Sequence, residues 1–240
     1  MSRLPKPESR PSAPRFHKKK MERRVDTPEG RALAELPFDT MKKLGRDLVD
    51  GEERAALQRD LENGTDRTAA IIAASLVEHL LENTILAFLP RSDARTTARL
   101  LSREGALSGF SSKNFLGYAL GIYNKNVLSD LEAIREIRND FAHSAKPIDF
   151  ETHEILKHIK KLSRQKPDDS FLQKMSLNRA IYLSTTMSLE SFFIAKYSIR
   201  VTENAVTKIM KVAPKGALDD LLSKINELKA TAEKSVRDFP

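Results

Sequence analysis

The residues best suited to chemistry lie at the end of a predicted helix, where Arg138, Asn139 and His143 occur within six positions. On a helical wheel, Arg138 falls near the centre of an apolar stripe, while Asn139 and His143 share one flank. Four apolar residues form that stripe: Leu131, Ile134, Ile137 and Phe141. Because a buried guanidinium cannot lose its proton, Arg138 requires a counter-charge or several carbonyl acceptors.

Two interpretations of Arg138 remain open. It could form an internal ion pair or a carbonyl clamp, or it could bind phosphate at a dimer interface through its planar fork. Arg138 and His143 lie about 140° apart on an ideal helix. They could meet only if the helix ends before His143, or across a two-fold axis. Asp66 is a possible partner for Arg138, although a helix cap is its simpler role.

Other familiar catalytic and metal sites are missing from the sequence. The chain has no Cys, which excludes disulfides, thiol nucleophiles and the usual structural zinc sites. HExxH, phosphate-binding glycine loops and Gly-x-Ser-x-Gly are absent. Glu154 and His158 share a face, but two ligands do not make a metal site, and His79 is expected to be structural. We therefore predict neither a metal nor a cofactor.

The positive charge is concentrated at the N-terminus. The chain carries 41 basic and 33 acidic residues, and residues 1–26 account for +6 of the net +8. Four prolines and few apolar residues predict that this segment is disordered. Its basic cluster could bind nucleic acid through phosphates, or it could simply be a solvated tail. The cluster consists of Lys18, Lys19, Lys20, Arg23 and Arg24.

Helix signals dominate the chain from Thr27 onward, and strand-like alternation is never sustained. The sequence therefore predicts an all-α helical bundle with a basic tail at 1–26, a core at 27–165 and a helical extension at 166–240. The longest apolar run is too short to span a membrane, and no signal peptide is evident. We expect a cytoplasmic protein. The predicted helices span about 28–38, 39–50, 52–63, 66–89, 93–103, 112–123, 129–143, 149–162, 170–212 and 216–236.

Three segments resemble the mannitol operon repressor (MltR) family. They are the Ala-rich helix opened by Asp66-Arg67, the loop and helix containing Tyr118-Ala-Leu-Gly121, and Ile137-Arg-Asn-Asp-Phe-Ala-His143. The resemblance covers about residues 55–160. It implies an all-helical protein that regulates transcription through protein contacts and has no DNA-binding domain of its own. On this interpretation the chain is a homodimer with an unidentified regulatory partner and is not an enzyme.

Arg138-Asn139-x3-His143 also resembles the signature of HEPN ribonucleases, which are helical dimers. That resemblance implies a metal-independent endoribonuclease whose site is shared between two chains. His143 would transfer protons, Arg138 would stabilise the charged phosphorane, and Asn139 would orient the substrate. The two families therefore predict different functions from the same residues.

Overall fold

The computed structural model describes residues 51–163, 167, 172–210, 226 and 230. Every regular element in these ranges is an α-helix, which confirms the predicted fold class. The basic cluster of the tail, the two helices predicted before residue 51 and the last predicted helix lie outside the described residues, apart from 226 and 230. The seven helices are α1 (Gly51–Asn63), α2 (Asp66–Phe88), α3 (Ala94–Leu101), α4 (Phe110–Ala119), α5 (Lys125–His143), α6 (His153–Ile159) and α7 (Leu177–Met210).

Helix α2 is the centre of the bundle, since it packs against α1, α4, α5 and α7. Thr65 caps its N-terminus by accepting a hydrogen bond from the amide of Thr68, as its sequence predicts. Small residues such as Ala69 and Ala73 are fully buried and allow neighbouring helices to approach closely. By length and composition α2 could also cross a membrane. The central helix of a bundle passes the same test.

The core joins α5, α6 and α7 to this central helix. Phe141 at the end of α5 stacks on Phe150, with ring centroids 5.1 Å apart, and Phe150 in turn contacts Tyr182 of α7 at 5.2 Å. The hydroxyl of Tyr182 donates to the carbonyl of Ala70 on α2. Part of the predicted C-terminal extension is therefore packed into the core. The predicted boundary at 165 remains a prediction.

Several predicted helix boundaries are wrong. α5 begins at Lys125, because the side chain of Asn124 caps the amides of Asn126 and Val127. The sequence Ser129-Asp-Leu-Glu132 matches a capping box, which predicts a helix start at Ser129, but it lies inside the helix. The helix predicted at 149–162 covers only His153–Ile159, and α7 begins at Leu177 rather than near residue 170.

Gly117 and Gly121 lie four residues apart in the helix predicted at 112–123, so the sequence predicts that their shared face admits a neighbouring helix. This prediction is wrong. Gly121 lies beyond the helix with φ +68° and forms a Schellman ending, in which the amide of Ile122 donates to the carbonyl of Gly117. A Cβ on Gly117 would lie 2.6 Å from the hydroxyl oxygen of Tyr123. That hydroxyl donates to the carbonyl of Asn114 and holds the turn against α4.

Candidate functional site

A network of four charged side chains joins α2, α4 and α5. Glu78 and Glu82 are four residues apart, so both carboxylates lie on one face of α2. The ammonium of Lys113 on α4 lies 2.8 Å from Glu78 Oε1 and 2.7 Å from Glu82 Oε2. Arg138 on α5 completes the network at 3.1 Å from Glu78 Oε2. Two acids and two bases leave the network without net charge.

Lys113 is the most buried member, with 8% of its side chain exposed. Burial opposes its positive charge, but the hydrogen bonds and charges of Glu78 and Glu82 outweigh burial and raise the pKa of Lys113 above its ordinary value. The lysine therefore stays charged at neutral pH. Sequence analysis did not identify it, because an isolated Lys on a short helix suggests solvent exposure.

Arg138 has the counter-charge that its position on the helix requires. It donates to Glu78 on α2 and, at 3.1 Å, to Oδ1 of its neighbour Asn139. Its side chain is 31% exposed, so it lies at the edge of the core stripe rather than at its centre. The ion pair forms within one chain, as the structural interpretation of Arg138 requires.

Asp66 is neither the partner of Arg138 nor the cap of α2. One of its oxygens pairs with Arg179 at 3.0 Å, and the other accepts a hydrogen bond from the amide of Phe150. Arg179 also donates to three carbonyls where α1 ends, those of Leu61, Glu62 and Gly64. The carbonyl clamp proposed for Arg138 therefore exists, but it belongs to Arg179. No local sequence pattern around Arg179 marks this role.

His143 is exposed and lies in the last turn of α5. Since the helix continues through this residue, Arg138 and His143 do not meet within one chain. Asn139 and His143 instead line an open cleft of about 610 Å³. Its other lining residues are Asp140, Ser144, Lys146, Pro147, Ile148, Thr152 and Glu154.

The wall of this cleft is fixed from α2. Arg67 donates to the carbonyls of Ser144 and Lys146 at 2.9 and 3.1 Å, which holds the segment that follows α5. On α6, His158 Nε2 lies 3.4 Å from Oδ2 of Asp140, which lines the cleft. Burial lowers the pKa of His158 more than the charge of Asp140 raises it. Within the described ranges, no three His, Asp or Glu side chains are grouped as metal ligands.

Comparison with known proteins gives little further information. No family model matches the chain, and no curated protein shows a significant match. A chain from the X-ray structure of the MtlR-HPr complex from Escherichia coli is similar at 22% identity, with a TM-score of 0.45. The match covers 60% of the present chain and 97% of that chain. The resemblance to the MltR family therefore depends on the three sequence motifs.

Proposed function

We propose that this chain is an MltR-like interaction protein of the cytoplasm, which regulates transcription by binding a partner protein and catalyses no reaction. We further propose that it acts as a homodimer. Every regular element in the described residues is a helix, as the resemblance implies. The arginine of its most recognisable motif is used internally, because Arg138 is paired with Glu78.

The observation that carries this proposal is an exposed aromatic pair on α4. Phe115 and Tyr118 are 55% and 42% exposed and lie three residues apart, so they share one face. The other large exposed apolar side chains that the structure describes are aliphatic and lie at residues 172, 177 and 187. Exposed aromatic residues are the typical anchors of protein interfaces.

The backbone beneath this pair is held rigidly. On the opposite side of α4, Lys113 enters the charge network. The helix is also fixed through its backbone, because the Tyr123 hydroxyl donates to the carbonyl of Asn114. A partner would therefore bind Phe115 and Tyr118 without ordering the helix first, which lowers the entropic cost of association.

The test places a photo-crosslinking amino acid at position 115 in cells. We expect one partner protein to be crosslinked reproducibly and the yield to fall at least tenfold when Tyr118→Ser is added. The control places the same amino acid at exposed position 160, which caps the C-terminal end of α6. Equal crosslinking from both positions, or crosslinking at 115 only to a second copy of the chain, would contradict partner binding through this face.

A metal-independent endoribonuclease of HEPN type is the second candidate. One observation favours it: Arg138 donates to Asn139, and Asn139 and His143 line the same cleft. The three residues thus form a continuous path along α5 to a surface that could admit a ribose phosphate. A second chain would have to bring another arginine towards His143.

Its test is incubation of the purified protein with mixed RNA in excess chelator. Under this candidate function the wild type cleaves RNA, His143→Ala abolishes cleavage, and the control His79→Ala does not. His79 is exposed on α2 and bonds only Asn83. Absence of cleavage by the wild-type dimer would eliminate the candidate. Cleavage that survives in His143→Ala would be assigned to a contaminant.

A further inference from the structure

Four exposed arginines lie within α3 and on either side of it. Arg91, Arg95, Arg99 and Arg103 are spaced four residues apart and are all exposed. Arg95 and Arg99 lie within the helix, about 40° apart on its surface, while the other two flank it. We call these four residues the arginine ridge.

The ridge differs from the other arginines of the described chain. Within the described ranges, the guanidinium groups of its four members form no salt bridge and no hydrogen bond, and Arg99 takes part only through its backbone carbonyl, which accepts from the Ser102 hydroxyl. Elsewhere, each arginine whose side chain is described has a carbonyl, carboxylate or other partner. Those arginines are Arg59, Arg67, Arg135, Arg138, Arg179 and Arg200.

The exposed residues beside the ridge have short side chains, and the local surface carries a net positive charge. Ala94 and Ala98 are the remaining exposed residues of α3, and their short side chains allow a large ligand to approach the helix closely. Two acids are nearby. Asp93 is occupied as the N-cap of α3, where its carboxylate accepts from the amide and hydroxyl of Thr96, and Glu104 is exposed. Four cations against two anions leave a net positive surface.

We propose that the arginine ridge binds the phosphate backbone of double-stranded DNA without reading its sequence. Guanidinium forks match phosphate oxygens, and a narrow helix fits the major groove of B-form DNA, whereas the deep, narrow major groove of an RNA duplex excludes it. Single strands are bound through aromatic stacking, and α3 contains no aromatic residue. An acidic protein would be expected to require apolar anchors, but the exposed face offers only alanines.

This DNA-binding surface is separate from the proposed partner surface on α4. It would keep the protein near DNA without sequence preference, while the partner supplies specificity. The predicted phosphate-binding cluster of the N-terminal tail is a second basic region of the sequence, so the experiment has to distinguish the two.

The experiment measures binding of the full chain to a fluorescent DNA duplex of mixed sequence at several salt concentrations. We compare the wild type with Arg95→Gln/Arg99→Gln. The matched control is Lys157→Gln/Lys160→Gln, which removes the same charge from exposed positions in α6 and at its C-terminal cap. The slope of log affinity against log salt should fall in magnitude by about 1.8 in the ridge variant, or about 0.9 for each phosphate that is no longer neutralised. The control should retain the wild-type slope.

Further variants identify the ligand and the contributing region. Arg95→Lys/Arg99→Lys should keep most of the salt slope, because each lysine still neutralises a phosphate. Replacing the five basic residues of the tail cluster by Gln should leave the effect of the ridge variant in place. The proposal would be overturned if the ridge and control variants reduced the salt slope equally. It would also be overturned if replacing the tail cluster alone abolished all binding. Tighter binding to single-stranded DNA, to an RNA duplex or to an acidic protein would overturn it as well.

Discussion

Replacing Lys113 by Met tests whether the charge network stabilises the bundle. Met has a similar length but no charge, so the substitution leaves Glu82 without its partner while Glu78 keeps Arg138. The carboxylate of Glu82 is about four-fifths buried. Removing one partner of a buried pair costs roughly 3–5 kcal/mol. Because Glu82 retains some contact with water, we expect about 2–3 kcal/mol.

Two further variants make this expectation specific. Lys113→Met/Glu82→Gln removes both charges together and should cost about 1 kcal/mol, since no unpaired carboxylate remains. Arg138→Ala should cost only about 1–2 kcal/mol, because its side chain is 31% exposed and Glu78 keeps Lys113. Removing an arginine clamp from the centre of the core would destabilise the fold more. The partly exposed position of Arg138 therefore lowers the destabilisation expected from Arg138→Ala.

The assay is urea unfolding followed by far-ultraviolet circular dichroism, with stability compared at equal denaturant slopes. The raised pKa of Lys113 means that its contribution is fully present below the ordinary lysine pKa and is lost as pH rises above it. Measurements at pH 7 therefore report the full effect. The double variant could be as unstable as Lys113→Met, or Arg138→Ala could be the most destabilising substitution. Either result would refute the explanation that an unpaired, largely buried carboxylate of Glu82 causes the loss of stability.

Three further predictions concern single residues. Burial raises the pKa of Asp130 more than its hydrogen bonds from Ser163 lower it, so its contribution to stability is present at low pH and is lost as pH rises through the raised value. Asp130→Asn, which can bond Ser163 equally, should therefore be neutral or stabilising at pH 7 in the same urea assay, and a destabilisation above about 1 kcal/mol would contradict this. The lowered pKa of His158 makes its contribution present above the ordinary histidine pKa and lost as pH falls through the lowered value. An NMR titration should find the midpoint of His158 below the ordinary histidine pKa, whereas a midpoint above that pKa would show that the charge of Asp140 outweighs burial. Gly121→Ala should cost about 1 kcal/mol in thermal unfolding because φ is positive there, and an unchanged melting temperature would argue against the Schellman ending.

Short-range signals in the sequence predicted which parts of the described chain are helical, although several helix boundaries were wrong. The sequence placed helix starts at Thr65 or Asp66 and at about Asp93, and the side chains of Thr65 and Asp93 do accept bonds from amides three residues ahead. Such caps depend only on adjacent residues, so their signals survive in a linear sequence. The need of Arg138 for a counter-charge was also predictable, since the cost of burying an unpaired guanidinium does not depend on which fold buries it.

Tertiary packing decided which residues meet. Glu78 is 60 positions from Arg138, and Asp66 is 113 positions from Arg179. The sequence offered Asp66 as a possible partner for Arg138, but the crossing of α2, α5 and α7 pairs Arg138 with Glu78 and Asp66 with Arg179. Local signals can also compete: Asn124 and Ser129 can each cap a helix, and Asn124 does so in the structure. The sequence by itself determined where helices form and which charges need partners. The distances between those helices determined each partner, because an ion pair requires two side chains within about 4 Å.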